Sequence, residues 1–122
     1  MKKLELESLL NIIEYEKVRD DYRKDIIQYK KNRRIVLGPN VAMVFENERT
    51  LGFQIQEIMR AERLVHDEQI LEEIEVYNSI MPPKNGLSAT LFIEITDEKK
   101  IKSILNDFKQ FCTSNSLHLC VI

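Results

Sequence analysis

The sequence is poor in the residues that most often build catalytic or cofactor sites. Among its 122 residues are three glycines, two histidines and two cysteines. The scarcity of glycine leaves no Walker A loop and no GxGxxG turn, so nothing indicates a nucleotide site. Cys112 and Cys120 form no CxxC pair, and the repeated Glu-x-x-His pairs of di-iron bundles are missing. We therefore expect no metal, no cofactor, and cysteines that are reduced thiols.

Long apolar runs and a strong net charge are missing as well. No run approaches the length of a membrane span, and Glu5 and Glu7 interrupt the start where a signal peptide needs an apolar core. The formal net charge of −2 gives no overall attraction to nucleic acid or to an anionic membrane. These features predict a cytoplasmic protein without a membrane segment, folded as a single domain over residues 1–122.

The first strong pattern predicts a long helix from Ile12 to Lys31, with Asn11 as its N-cap. Because tyrosine packs well and keeps a hydroxyl for polar edges, the helix's apolar stripe suits a core or a partly exposed interface. The helix ends in the basic run Lys30–Arg34, where cations are favoured by the helix dipole. The stripe recurs at spacings of three and four and comprises Tyr15, Val18, Tyr22, Ile26 and Tyr29.

An antiparallel meander is predicted over residues 34–56. Two apolar runs, 35–37 and 41–45, flank a Gly-Pro-Asn turn and indicate a β-hairpin. Leu51, Phe53 and Ile55 alternate with polar residues or glycine, which predicts a third strand over 51–56. A helix that begins at Leu51 is the competing interpretation, because the composition there is rich in glutamine and glutamate.

The remaining pattern predicts two helices, a strand, a further helix and a terminal strand. The first helix follows Gln56, and the second is capped by Asp67 and continues to Met81, where two prolines stop it. A strand over 87–95, a helix capped by Thr96 and a short strand at 117–122 complete an α+β fold.

The densest polar cluster lies where the predicted third strand gives way to a helix. Gln56, Arg60 and Arg63 have the spacing of one helical face, and Glu57 lies beside them. Arginine forks match carboxylate or phosphate, so these four residues are a candidate anion-binding or partner-binding site. The alternative, which we favour, is a purely structural role: an ion-pair network within the helix, such as Glu57 with Arg60. Catalysis would require this face to border a pocket, with Glu57 as acid or base.

Charge is distributed unevenly along the chain. The basic run Lys30–Arg34 has Tyr29 beside it but no interleaved aromatic residues, so a solvated helix end explains it better than a nucleic-acid interface. Residues 67–75 hold five acidic residues and no cation. Opposite patches on one chain predict a homo-oligomer, most simply a homodimer, held partly by charge.

Several blocks of sequence resemble, in order and spacing, one bacterial family that is catalogued as a domain of unknown function. The resemblance extends from about Leu4 to Ile95 and implies no established activity. It also implies that the protein is encoded near rubrerythrin-like and iron–sulfur proteins, and hence that it has a role in redox or oxidative-stress metabolism. The blocks are Glu14–Arg19, Arg34–Pro39, Phe45–Asn47, Phe53–Glu57 with Arg60–Arg63, and Leu87–Glu94.

After Ile95 the sequence departs from this pattern, because family members are expected to continue with further strands. The resemblance therefore implies a shortened member whose sheet is completed by a second copy. We expect a non-catalytic binding or accessory protein. The alternatives are a small enzyme or anion-binding protein that uses the Gln56–Arg63 cluster, and a nucleic-acid-binding protein that uses Lys30–Arg34.

Overall fold

The computed structural model describes residues 3–94 together with Lys102 and Ser103. The chain divides into two compact units, residues 1–92 and 93–122, and the elements belong to the first unit apart from Ile93. Helices and a small sheet confirm the α+β class. In order, the elements are a 3-10 turn at Leu6–Ser8, α1 at Ile12–Lys31, β1 at Arg34–Val36, β2 at Val41–Phe45, α2 at Glu48–Glu62, α3 at Asp67–Ser79 and β3 at Ala89–Ile93.

Helix α1 has the predicted bounds and the predicted cap. The Asn11 side-chain oxygen accepts a hydrogen bond from the Glu14 N–H at 2.9 Å, which satisfies a donor that the first turn leaves open. The tyrosine stripe faces α2: Tyr22 packs edge-on against Tyr15 at 5.8 Å between ring centroids and stacks on Phe53 at 5.7 Å. The stripe is therefore largely an intramolecular face.

The predicted third strand over 51–56 is wrong, because these residues lie within α2. Asn47 is the N-cap: its side-chain oxygen accepts the N–H groups of Arg49 and Thr50 at 3.0 Å. The Thr50 hydroxyl in turn accepts the Asn47 N–H at 2.9 Å. This reciprocal capping box starts the helix at Glu48, three residues before the start that the competing interpretation gave it.

Burial within α2 follows helical spacing. Leu51, Ile55 and Met59 lie four residues apart and are all buried. They form the centre of a core to which α3 contributes Ile70 and Ile74. Each fully buried side chain of this size contributes about 1.5–3 kcal/mol, so the core favours the helix over the strand.

The sheet contains three strands in the order β1–β2–β3. β1 and β2 form the predicted hairpin, antiparallel with Ile35 opposite Met43. The Glu46 N–H donates to the Ser88 carbonyl at 2.8 Å, so β3 continues antiparallel along β2. The predicted meander therefore reduces to a hairpin, and a strand from later in the chain takes the third position.

The later elements differ in their bounds from the predictions. Asp67 is the first residue of α3 rather than its cap, since His66 occupies the N-cap position without a side-chain hydrogen bond. The helix ends at Ser79 instead of Met81, and β3 covers 89–93 of the predicted 87–95. The predicted helix after Thr96 is described at Lys102 and Ser103 alone, which are helical, and the strand at 117–122 lies outside the described residues.

The segment before α1 is fixed by polar side chains from distant elements. The Asn78 side chain of α3 accepts the Leu4 N–H at 2.8 Å and donates to the Leu4 carbonyl at 3.0 Å. This pair replaces the hydrogen bonds that an extended backbone would otherwise make with water, and it brings Leu4 into the core. Over the residues that the structure describes, no helix is both long and apolar enough to cross a membrane.

We predict that Asn47→Ala lowers the free energy of unfolding by about 1–2 kcal/mol, because the capping box at the start of α2 is lost. Chemical denaturation monitored by circular dichroism measures the change. Asn85→Ala, an exposed substitution in the turn before β3, is the control and should change stability by less than about 0.5 kcal/mol. Equal effects of the two substitutions would contradict the role of the cap.

Candidate functional site

An open groove of about 810 Å³ lies between the start of α1 and the end of α2. It combines an apolar floor with three cations and one carboxylate, and Ile13 in it is 68% exposed. We call it the basic groove. Its lining residues are Ile12, Ile13, Glu16 and Lys17 from α1 and Arg60, Ala61 and Arg63 from α2.

Of the four predicted site residues, Glu57 joins α2 to α1 through hydrogen bonds. Its two carboxylate oxygens accept the Arg19 Nε–H and Nη–H at 3.0 Å each, and one of them also accepts the Tyr15 hydroxyl at 2.7 Å. The Arg19 hydrogen bonds, with that of Tyr15, hold the pKa of Glu57 below its usual value. Burial and the Glu57 carboxylate raise the pKa of the Tyr15 hydroxyl.

Arg60 lies in the groove but has a partner there. Its Nε donates to a Glu16 carboxylate oxygen at 2.6 Å, and its second guanidinium nitrogen donates to the other oxygen at 3.3 Å. This exposed pair, like that of Glu57 with Arg19, joins α2 to α1. The hydrogen-bonded ion pairs of Glu57 and Arg60 thus both join α2 to α1. The predicted ion pair between Glu57 and Arg60 within α2 is therefore wrong.

Gln56 is buried and holds the segment that leads into α1. Its side-chain nitrogen donates to the Leu10 carbonyl at 2.9 Å, and its side-chain oxygen accepts the Leu10 N–H at 2.7 Å. Both groups of the amide are therefore satisfied by one backbone residue. Gln56 does not line the basic groove, and its role is to position the start of α1 against α2.

Arg63 differs from the other three predicted residues. It follows the last residue of α2 with φ 53° and ψ 49°, the left-handed conformation that favours glycine. The next residue, Leu64, is buried and its N–H donates to the Met59 carbonyl at 2.9 Å, which completes a Schellman-type helix end. The Arg63 guanidinium is exposed and makes no hydrogen bond or ion pair within the part of the chain that the structure describes.

A neighbouring cleft of about 420 Å³ shares Ile12 and Ile13 with the basic groove. Its lining is mostly apolar and includes Val65, which is 58% exposed. Apolar surface of this kind beside exposed cations is typical of surfaces that bind a partner. Lys17, which was not among the predicted site residues, joins Arg63 in the basic groove, and among the described residues it pairs with the exposed Glu14 of its own helix alone, at 3.1 Å.

A buried carboxylate lies outside this region and was also missed. Glu46 is 2% exposed and accepts hydrogen bonds from the Thr90 hydroxyl at 2.7 Å, from the Gln54 amide at 3.2 Å and from the Thr50 hydroxyl. These donors come from α2 and β3, so the carboxylate ties the helix to the sheet. Its neighbours in sequence gave no signal, because the donors are brought together only by the fold.

Cations of the basic run Lys30–Arg34 contribute to packing. Arg33 donates from Nε to the Phe45 carbonyl at 2.8 Å and lies over the Tyr29 ring at 5.5 Å. Lys30 lies over the Phe53 ring at 5.4 Å. Both side chains thus have intramolecular roles, which weakens the argument for a nucleic-acid interface.

The described residues contain no group of three or more histidine, cysteine, aspartate or glutamate side chains placed to hold a metal ion. Cys112, His118 and Cys120 lie outside the described residues. The polar chemistry of the described region is therefore that of ion pairs, helix caps and one open basic groove.

The described residues form a small α+β fold with an open basic groove, and comparison with known proteins places the chain in a family. It belongs to the family described as protein of unknown function (DUF3501), whose model matches residues 3–121. The match continues beyond Ile95, where the predicted resemblance ended.

A solved structure with a similar fold is the crystal structure of a novel protein of unknown function from Burkholderia pseudomallei K96243. The two share 31% sequence identity with a TM-score of 0.80. The match covers 86% of this chain and 59% of that protein, so this chain corresponds to little more than half of it. No curated protein matches the sequence.

We predict that Glu57→Gln removes part of the acid sensitivity of the protein. Because the folded-state pKa of Glu57 is lowered, its contribution to stability is complete above the unfolded-state pKa and is lost as pH falls from about 4.5 through the folded-state value. The wild type should therefore lose more stability between neutral and acid pH than the variant. Thermal unfolding at a series of pH values measures this difference. Parallel curves would show that the Glu57 carboxylate does not stabilise the fold through its charge.

Proposed function

We propose that this protein is a non-catalytic binding protein of the bacterial cytoplasm, and that its basic groove recognises an acidic, partly apolar segment of a polypeptide. The observation that carries the proposal is Arg63, a cation with no partner among the described residues, which lies in left-handed backbone conformation at the edge of an apolar surface. Of the four residues that the sequence pattern indicated, Arg60 and Arg63 line the groove, whereas Gln56 and Glu57 do not; Lys17 and Ile13 line it as well.

The backbone at Arg63 supports a binding role. A residue other than glycine in the left-handed region costs about 1 kcal/mol, and backbone strain of this kind is concentrated at functional sites. Glycine at position 63 would end the helix with less strain, whereas arginine gives the groove a cation that can bind a carboxylate through two hydrogen bonds.

The composition of the groove favours a polypeptide over a small anion. A site for a small anion alone needs converging donors, but here Ile12 and Ile13 line the groove with the cations and also line the neighbouring apolar cleft. A helix or strand that carries both carboxylates and apolar side chains would contact both surfaces at once. Binding of a small anion such as phosphate with the same affinity as an acidic peptide would favour the anion-binding alternative.

A catalytic role for Glu57 receives less support from the geometry. A general base works best with a pKa near the operating pH, whereas Arg19 and Tyr15 lower that of Glu57. Its carboxylate oxygens already accept three hydrogen bonds from α1. We therefore keep the enzyme hypothesis as the second alternative, tested by whether Glu57→Gln alters any activity that is found.

The resemblance to a family associated with redox proteins suggests where the acidic segment could originate. We propose that the protein acts as an accessory to a redox or oxidative-stress system, as a homodimer. Affinity capture from the native host by the wild type and by Arg63→Glu, compared by mass spectrometry, would identify partners that depend on the groove. Recovery of the same proteins by both would contradict recognition through Arg63.

We predict that Arg63→Gly stabilises the protein while it weakens binding. The free energy of unfolding should rise by about 0.5–1 kcal/mol, because glycine adopts the left-handed conformation without strain. The affinity for a fluorescein-labelled acidic amphipathic peptide, measured by anisotropy, should fall at least about tenfold, which corresponds to the loss of about 1.4 kcal/mol of charge-assisted hydrogen bonding.

Lys24→Glu provides the control for this experiment, since Lys24 is an exposed cation of α1 outside the basic groove. It should leave peptide affinity within about twofold, a change of less than about 0.5 kcal/mol. Arg63→Gly with unchanged affinity, or a loss of affinity equal to that of the Lys24 variant, would contradict the proposed binding site.

A further inference from the structure

The outward face of α3 carries exposed carboxylates and apolar side chains that have no partner among the residues that the structure describes. Glu68, Glu72 and Glu75 recur at spacings of four and three and are all exposed, which places them in one row along the helix. Leu71 and Val76 lie on either side of this row and are 49% and 58% exposed. We call these five residues the acidic stripe.

The acidic stripe is unfavourable for an isolated helix. Like charges three or four residues apart on a helix repel one another, and α3 contains no lysine or arginine that would offset them. Within the described part of the chain, the three carboxylates make no hydrogen bond or ion pair. A cationic surface that contacts this row would remove the repulsion and cover the two apolar side chains.

The basic groove is the complementary surface on the same chain. Lys17 and Arg63 supply the cations, and Ile13 supplies an exposed apolar contact. The opposite signs of the two surfaces, with apolar residues in each, match them in charge and in hydrophobic character. The groove is formed at the end of α2 and the acidic stripe begins in the first turn of α3, so the two surfaces adjoin one another.

We propose that the acidic stripe of α3 docks into the basic groove of a second copy, and that a two-fold axis makes this contact twice. Two surfaces that adjoin on one chain are suited to such an arrangement, because each copy then contributes one groove and one acidic stripe. Duplicate contacts also bring the buried area closer to the roughly 1,600 Å² of a stable interface. This inference rests on the proposed function, since it names α3 of a second copy as the occupant of the groove.

Two charge-reversed variants test the pairing in the full chain. The groove variant carries Lys17→Glu and Arg63→Glu, and the stripe variant carries Glu68→Lys, Glu72→Lys and Glu75→Lys. Each variant alone has two like-charged surfaces and should remain monomeric in sedimentation velocity. An equimolar mixture should form a heterodimer. In it the acidic groove of the groove variant contacts the basic stripe of the stripe variant, and the basic groove of the stripe variant contacts the acidic stripe of the groove variant.

The wild type should be dimeric at low salt, and its dissociation constant should rise roughly tenfold from about 0.05 M to about 0.5 M sodium chloride, since the Debye length shortens to a few ångströms. A variant with Lys24→Glu and Lys31→Glu changes the net charge by the same amount as the groove variant but alters neither surface. It should dimerise like the wild type. Circular dichroism confirms that each variant is folded.

A monomeric wild type at low salt, variants that dimerise as well as the wild type, or a mixture that stays monomeric would each overturn the inference. A neutral stripe variant, with Glu68→Gln, Glu72→Gln and Glu75→Gln, separates this result from the proposed function, since its groove is intact, no acidic stripe competes for it, and it adds no cation that binds the peptide elsewhere. If it binds the acidic amphipathic peptide while the mixture fails to form heterodimers, the groove is a binding site whose occupant is another polypeptide. If the mixture pairs but the peptide does not bind, the groove serves self-association alone.

Discussion

The carboxylate of Glu57 is the contact on which the arrangement of α1 and α2 depends. One side chain of α2 accepts hydrogen bonds from Tyr15 and Arg19, which lie one turn apart on α1. An ion pair that is about three-quarters removed from solvent on the Glu57 side fixes the register of the helices more firmly than a surface pair would. This contact, with that of Gln56 on Leu10, joins the helices beside the groove that the start of α1 and the end of α2 line.

Much of the fold could be predicted from the sequence, because several elements are specified locally. Asn11 and the regular spacing of Tyr15 and Ile26 predict α1, and the Gly-Pro-Asn turn predicts the β1–β2 hairpin. Residues 51–56 were wrongly predicted as a strand. Over so short a segment, alternating apolar residues fit the spacing of a helix as well as the spacing of a strand. The decisive signal was Asn47 with Thr50 three residues later, a capping pair that precedes helical spacing of Leu51 and Ile55.

The candidate site was predicted in part, for a physical reason. Spacing along α2 identifies which side chains share a face, but the partner of each side chain comes from another element. Arg19 is 38 residues from Glu57 in the sequence, and Glu16 is 44 residues from Arg60. The ion pairs that these residues form could therefore not be inferred from spacing along α2. Arg63 also required the structure, because its left-handed conformation depends on how α2 ends at Leu64.

The central distinction is between arginines that hold the fold and an arginine that is available to a partner. Nuclear magnetic resonance of the arginine Nε–H groups tests it most directly. The signal of Arg19 should be protected from exchange with water and unchanged when an acidic amphipathic peptide is added, whereas the signal of Arg63 should exchange freely and shift during the titration. An unchanged Arg63 signal, or a shift of Arg19 of equal size, would contradict this division of roles.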